Sequence, residues 1–233
     1  MRPLFIAPVA LVAICSCNEG PRSVVRGEPR HESTSIDRGD AKMSRIELNL
    51  GAGELRVSGG SKKLLEADFD FEDPSQRPRV ESHSTGFRGD VKISEPSGIS
   101  LHNGKYRWEV RLTDDVPVDF NAHLGAGEAT IDLSSVSKRS VSVNMGVGQL
   151  NLDLRGKVES DYSVDINGGV GEARIRLPAD AAVTANASGG IGEISVDGLE
   201  KRGGRWINPR NDHGPRIHLN VHGGIGQIHI DAN

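Results

Sequence analysis

Apolar and polar residues alternate with a period of two from Arg45 onward. Ile46, Leu48 and Leu50 share one face, Gly51-Ala52-Gly53-Glu54 interrupts, and Leu55 and Val57 resume the alternation. That period is the signature of a strand with one buried face. Leu65, Ala67, Phe69 and Phe71 predict a second strand ending near Pro74, with weaker strands around Val80 and Val91/Ile93. Asn103-Gly104 is a two-residue turn dipeptide of the hairpin kind. Tyr106, Trp108, Val110 and Leu112 share parity on the arm that follows it. Residues 43–116 are therefore expected to form an antiparallel β region.

After Pro117 the pattern repeats. An alternating strand runs into Gly, one apolar residue, Gly, then Glu or Gln, and a second alternating strand follows. The corners are Gly125/Gly127, Gly146/Gly148, Gly169/Gly171, Gly190/Gly192 and Gly224/Gly226, with an earlier outlier at Gly51/Gly53. Apolar positions switch parity across each corner: Val141, Val143 and Met145 precede one, and Leu150, Leu152 and Leu154 follow it. A continuous strand cannot change parity, so each motif predicts a bend or bulge that glycine permits. The middle residues Ala126, Val147, Val170, Ile191 and Ile225 keep the parity of the preceding set and are expected to point inward. Most corners recur after about 21 residues, the length of one solenoid coil, and 117–233 reads as a β-solenoid-like stack. The longer last interval leaves room for a loop at 201–216. The fold class expected is all-β, with antiparallel strands leading into that stack.

Composition narrows the function classes. The 233 residues carry a formal charge of −4 with a pI near 6.1, so no global basic field attracts a polyanion, and no nucleic-acid partner is expected. The apolar run from Pro3 to Ile14 behind Arg2 reads as a signal-peptide core, too short for a mature spanning helix. Ile14-Cys15-Ser16-Cys17 looks like a bacterial lipobox, and that resemblance implies cleavage before Cys17 and diacylglyceryl attachment to its sulfur. The alternative is an ordinary secretory signal with an incidental cysteine. Cys15 and Cys17 are the only cysteines, so cleavage and lipidation would leave no thiol chemistry. The expected organisation is a signal peptide over 1–16, a polar tether over 17–42, and the two β regions. The location that follows is the cell envelope, lipid-anchored to a membrane.

The blocks "ELNLGAGELRVSGG", "DDVPVDFNAHLGAGEATIDLSSV", "INGGVGEARIRLPAD" and "VHGGIGQIHID" resemble the bacterial toast-rack domain, N-terminal type. That family is related to the cell-wall-active antibiotic response proteins and to a group of candidate adhesins. The resemblance covers most of 45–233. It implies a stacked or wound all-β architecture at the cell envelope and implies no enzyme, because these families have no recognised catalytic residues. Regulatory relatives carry transmembrane helices and restrain a two-component sensor kinase. No segment after the leader approaches 18 consecutive apolar residues, so the kinase role is not carried over.

Candidate chemistry is sparse. Gly169-Val170-Gly171-Glu172-Ala173-Arg174 lacks the last glycine of a dinucleotide fingerprint, and the aspartate of a nonapeptide calcium coil is missing. No cofactor or metal is expected. The column Glu128, Gln149, Glu172, Glu193 and Gln227 either accepts backbone N–H groups freed at the corners or holds a cation; the first is the structural reading. His218 and His222 lie four residues apart on one strand, about 13 Å, too far for one ion. Asp114-Asp115 reads as a turn ahead of a strand rather than an acid/base pair. Arg205, Trp206 and Arg210, with Lys201, Arg202 and Arg216, form the best partner contact, either to lipid headgroups, an anionic wall polymer or a protein, unless Trp206 simply packs on the stack. The function expected is a non-enzymatic, lipid-anchored interaction or sensing module of the envelope, tied to envelope stress. The alternative is a structural or adhesin-like surface protein that self-associates as a homo-oligomer through open stack ends. A carbohydrate-active role ranks last.

Overall fold

A computed structural model describes residues 29–96, 106–211 and 213–233. Its strands are β1 (Arg30–Ile36), β2 (Met43–Ser61), β3 (Leu65–Phe71), β4 (Arg79–Ser84), β5 (Arg88–Ser94), β6 (Arg107–Thr113), β7 (Val118–Asp132), β8 (Lys138–Asp153), β9 (Tyr162–Arg176), β10 (Ala182–Asp197), β11 (Glu200–Arg202), β12 (Arg205–Ile207) and β13 (Arg216–Asp231). All belong to one sheet with the order β1-β3-β6-β2-β7-β8-β9-β13-β10-β12-β11, and β5 and β4 branch from β2. The protein is all-β. Among the described residues no helix is long and apolar enough to cross a membrane.

Six long strands, β2, β7, β8, β9, β13 and β10, pair in parallel with their Gly-x-Gly motifs in register. Each must fold back at that motif. A straight 15-residue strand such as β7 would run about 50 Å. The connection from Asp132 to Lys138 reaches only about 20 Å. The two arms of each strand therefore face one another, and their inward residues make one core. Val118, Phe120, Ala122 and Leu124 of β7 are buried from the first arm, and Ala129 and Ile131 from the second. The parity switch in the sequence is the trace of this fold-back.

At the N-terminal end the pairing departs from the expected antiparallel sheet. Strand β2 pairs in parallel with β5 along its first arm and with β6 along its second. Together β5 and β6 occupy the place that one long strand fills elsewhere, β5 ending at Ser94 and β6 beginning at Arg107. Only β1/β3, β3/β6 and β4/β5 pair antiparallel in this region. Trp108 is fully buried there, edge-on to Phe69 and Tyr106 with ring centroids 5.6 and 6.0 Å away. Strand β1 falls inside the stretch expected as tether. Its Thr34 and Ile36 alternate toward the core opposite Ala67 and Leu65, which makes it an added edge strand. The Asn103-Gly104 turn, the leader and Cys17 lie outside the described residues.

The C-terminal order also differs from a simple sequential stack. Strand β13 inserts between β9 and β10, and the stretch expected as a loop at 201–216 holds most of the β11–β12 hairpin, which pairs with the start of β10. The connection from β9 to β10 thus skips one strand position, which the chain's last strand then fills.

Candidate functional site

The corners line up as a ridge along one side of the stack. Ala52, Ala126, Val147, Val170, Ile225 and Ile191 are successive register partners. Val147, Val170, Ile225 and Ile191 are 53, 47, 53 and 72 % exposed. The inward placement expected for these middle residues is thus overturned. Bracketed by two glycines, each sits at the tip of a fold-back, where strand parity no longer dictates the face. With half-exposed Ile194, these residues make up most of the exposed large aliphatic side chains described. Scattered apolar residues on a surface carry no message, but a contiguous row marks a contact surface.

The flanking glycines explain why the row can be so regular. Gly171 has φ +145°, and a Cβ built on it would run into the backbone carbonyl of Gly148 in the next strand. The same relation recurs from Gly53 through Gly127, Gly148, Gly171 and Gly226 to Gly192. Neighbouring corners are in direct backbone contact, and no side chain fits between them.

Inside the ridge a second series changes character along the stack. The last inward position before the corner reads Leu50, Leu124, Met145, Gly168, Gly223 and Gly189 in register. Leu50 and Leu124 are buried. The three glycines leave a groove bounded by Ile166, Val221, Ile194 and Ile228. Nothing lies within 4 Å of a Cβ built on Gly168.

The Glu/Gln column also needs correction. Its order is Glu54, Glu128, Gln149, Glu172, Gln227, Glu193, so Gln227 separates Glu172 from Glu193. A neutral amide thus stands between those two carboxylates, which sequence order alone would make neighbours. The described side-chain partners of Glu172 and Glu54 are cations rather than corner N–H groups. Arg174 lies 2.7 Å from Glu172, with His229 at 3.8 Å. Glu54 accepts hydrogen bonds from Arg56 and Arg107 at 2.6 and 2.7 Å. Burial alone would raise the Glu54 carboxyl, but the two arginines outweigh it and hold it below its ordinary range. The corner N–H of Gly51 is taken instead by Glu95, at 2.6 Å, the residue just past the end of β5. Among the described residues no cluster of three metal-ligating side chains occurs.

The other sequence candidates are placed as follows. Trp206 is half-buried against the core, paired with Ala185 and with the Lys201 ammonium 5.4 Å from its ring. Arg205 and Arg210 stay exposed beside it, so the hairpin offers cations around a packed tryptophan. His218 and His222 project from the outer face, and His222 meets Ser188 at 2.7 Å. Asp114 accepts from the Gly60 N–H and the Ser135 hydroxyl at 3.1 and 2.8 Å, as a turn residue does.

The sequence matches the family described as the N-terminal domain of toast_rack over residues 25–176, from ahead of β1 to the end of β9. The chain belongs to the toast-rack N-terminal domain family. The toast-rack match thus spans four of the glycine corners, and the last two, Gly190/Gly192 and Gly224/Gly226, lie beyond it. A crystal structure of a candidate cell adhesion protein from Clostridium sporogenes is 30% identical, covers 88% of this chain and 99% of its own, and superposes with a TM-score of 0.83. A candidate adhesin from Bacteroides fragilis is 10% identical over 87% of this chain and 97% of its own, with a TM-score of 0.33. No curated protein is significantly similar to this chain.

Proposed function

We propose that this toast-rack protein is a non-catalytic, adhesin-like contact module of the bacterial cell envelope. Its in-register strands make a solenoid-like stack, a lipid on Cys17 holds it to a membrane, and the corner ridge meets an envelope protein or wall polymer. The observation that carries this reading is the row Val147, Val170, Ile225 and Ile191, apolar and exposed in four consecutive strands. Burying such a row on a partner is favourable by about 25 cal/mol per Å2 of apolar area. The relative from Clostridium sporogenes, described as a candidate cell adhesion protein, makes adhesion the first reading and envelope-stress sensing the second. The exposed cations around Trp206 supply a second, electrostatic contact to anionic material.

The test is binding of the full chain to intact envelopes. Val170→Lys with Ile225→Lys is expected to lower affinity at least tenfold, whereas Thr130→Lys, on the flat face of β7, leaves it unchanged. Equal binding by all three proteins would remove the ridge from the account. Hydrolysis of a wall polymer by the purified protein would overturn the non-enzymatic reading.

A further inference from the structure

The two ends of the stack are finished differently. At one end β2 is covered along both arms by β5 and β6, and these by β4, β3 and β1. The outermost strands there carry Arg30, His31 and Glu32, or Arg79, Glu81 and His83, charges of the kind that discourage edge pairing. At the other end β10 is covered only at Thr184 and Ala185, by β12. Residues 186–197 have no strand partner on that side among the described residues. Ala182–Asp197 contains no Lys, Arg or Pro. Ile191 and Ile194 are exposed on it, and the glycine-lined groove runs out to it.

We infer that a second copy of this chain pairs with β10 about a two-fold axis at the Gly190–Gly192 corner, joining two stacks end to end. Only a strand with the same fold-back can follow both arms of β10 at once; a straight strand covers one arm and leaves the other open. Head-to-tail addition is closed off, because the β2 end is already covered.

The register follows from the backbone. Glu95 donates to the Asn49 carbonyl, and Glu54 donates to the Tyr106 carbonyl, so Asn49 and Glu54 address the β5/β6 side. Their neighbours Leu50 and Leu55 address the opposite side, and these align with Gly189 and Ile194 of β10. Antiparallel pairing about the corner sets Gly189 against Ile194 and Ala187 against Val196, so outward backbone groups meet one another. It also sets Ser188 against Ser195, and the Asn186 amide against the Asp197 carboxylate. Small residues thus face large ones, and donors face acceptors. An end face of two arms of about six residues, 186–191 and 192–197, about 10 Å apart covers roughly 400 Å2 per copy. The pair then buries about 800 Å2, in the size range of weak, transient contacts, which points to a weak, reversible dimer. Dimerisation would run the two apolar ridges into one, but it stands independently of what the ridge binds.

Sedimentation velocity of the full chain from about 1 to 100 µM tests this. The weight-average mass is expected to rise from monomer toward dimer and stop there. Ile191→Lys, which sets two ammonium groups across the axis, and Asn186→Asp, which sets a second carboxylate against Asp197, should keep the protein monomeric at unchanged melting temperature. Val147→Lys, three strands back along the ridge, should leave dimerisation intact. A monomer at every concentration, growth beyond the dimer, or a dimer indifferent to both β10 variants would overturn the inference. Loss of dimer in Val147→Lys equal to that in Ile191→Lys would also overturn it. Envelope binding is not read in this experiment, so its failure and that of the contact-module reading are told apart.

Discussion

Gly168 and Gly171 lie three residues apart in β9, and replacing each by alanine should have opposite consequences. At Gly171 the backbone sits at φ +145°, outside the range an L-residue tolerates, and the new methyl would overlap the Gly148 carbonyl. The dihedral alone costs about 1–3 kcal/mol. Relieving the overlap requires two strands to separate at a backbone contact, since no flexible side chain is there to move. The total expected for Gly171→Ala is about 3–5 kcal/mol, in the range reserved for strain and overpacking. At Gly168 the φ is not positive and nothing lies within 4 Å of the new methyl. Removing glycine's extra freedom in the unfolded chain should then stabilise Gly168→Ala by about 0.5 kcal/mol. Urea unfolding of both variants beside the wild type measures the difference directly. If Gly171→Ala unfolds within 0.5 kcal/mol of the wild type, or if the two alanines cost the same, the close stacking of corners is wrong.

Three further outcomes follow from the packing and charge. Trp108→Ala removes a fully buried indole held edge-on by Phe69 and Tyr106, and thermal unfolding should show a loss of about 3–5 kcal/mol. Arg107→Met leaves Glu54 with Arg56 alone and should cost about 1 kcal/mol at neutral pH. Because the folded Glu54 pKa is depressed, this stabilisation is present above the unfolded value and is lost as pH falls through the folded one. The difference between Arg107→Met and wild type should therefore vanish in acid. Lys138 is buried, its ammonium donating to the Leu133 carbonyl at 2.8 Å, and burial pushes its pKa down against the pull of Asp132 and Asp153. The unfolded chain then holds this proton more tightly, so stability should rise as pH climbs toward the ordinary lysine value of 10.5. Lys138→Met should flatten that rise in a pH series of melting curves.

Much of the fold was legible in the sequence because strand parity is a local property. Val141, Val143 and Met145 before a corner, and Leu150, Leu152 and Leu154 after it, identify both arms of β8 and the bend between them. The tip of the bend was not legible by the same rule. Parity assigned Val170 to the core, but a residue between two glycines at a fold-back is released from the pleat, and the four aliphatic tips form the surface instead. The Glu172–Glu193 neighbourhood was missed because order along the chain stood in for order in space. Strand β13 takes the position between β9 and β10, a non-local choice that no spacing records. Strand β1 went unrecognised because its sequence, RHEST, is polar on both faces until Thr34 and Ile36 reach the core. The Glu95 cap on Gly51 is equally non-local, since it joins β2 to a residue just past the end of β5, 44 positions along the chain. What could have pointed to the groove is the series Leu50, Leu124, Met145, Gly168, Gly223 and Gly189, visible once the motifs are aligned.

The central claim is that the Gly-x-Gly corners exist to stack and to present their middle residues outward as a contact surface. Site-specific photo-crosslinking in intact envelopes tests it most directly, with the reactive side chain placed in turn at Val170, Ile225 and Thr130. The account predicts the same crosslinked partner from Val170 and Ile225, and none from Thr130. Crosslinks from Thr130 alone, or silence at both ridge positions while the protein remains bound, would contradict it.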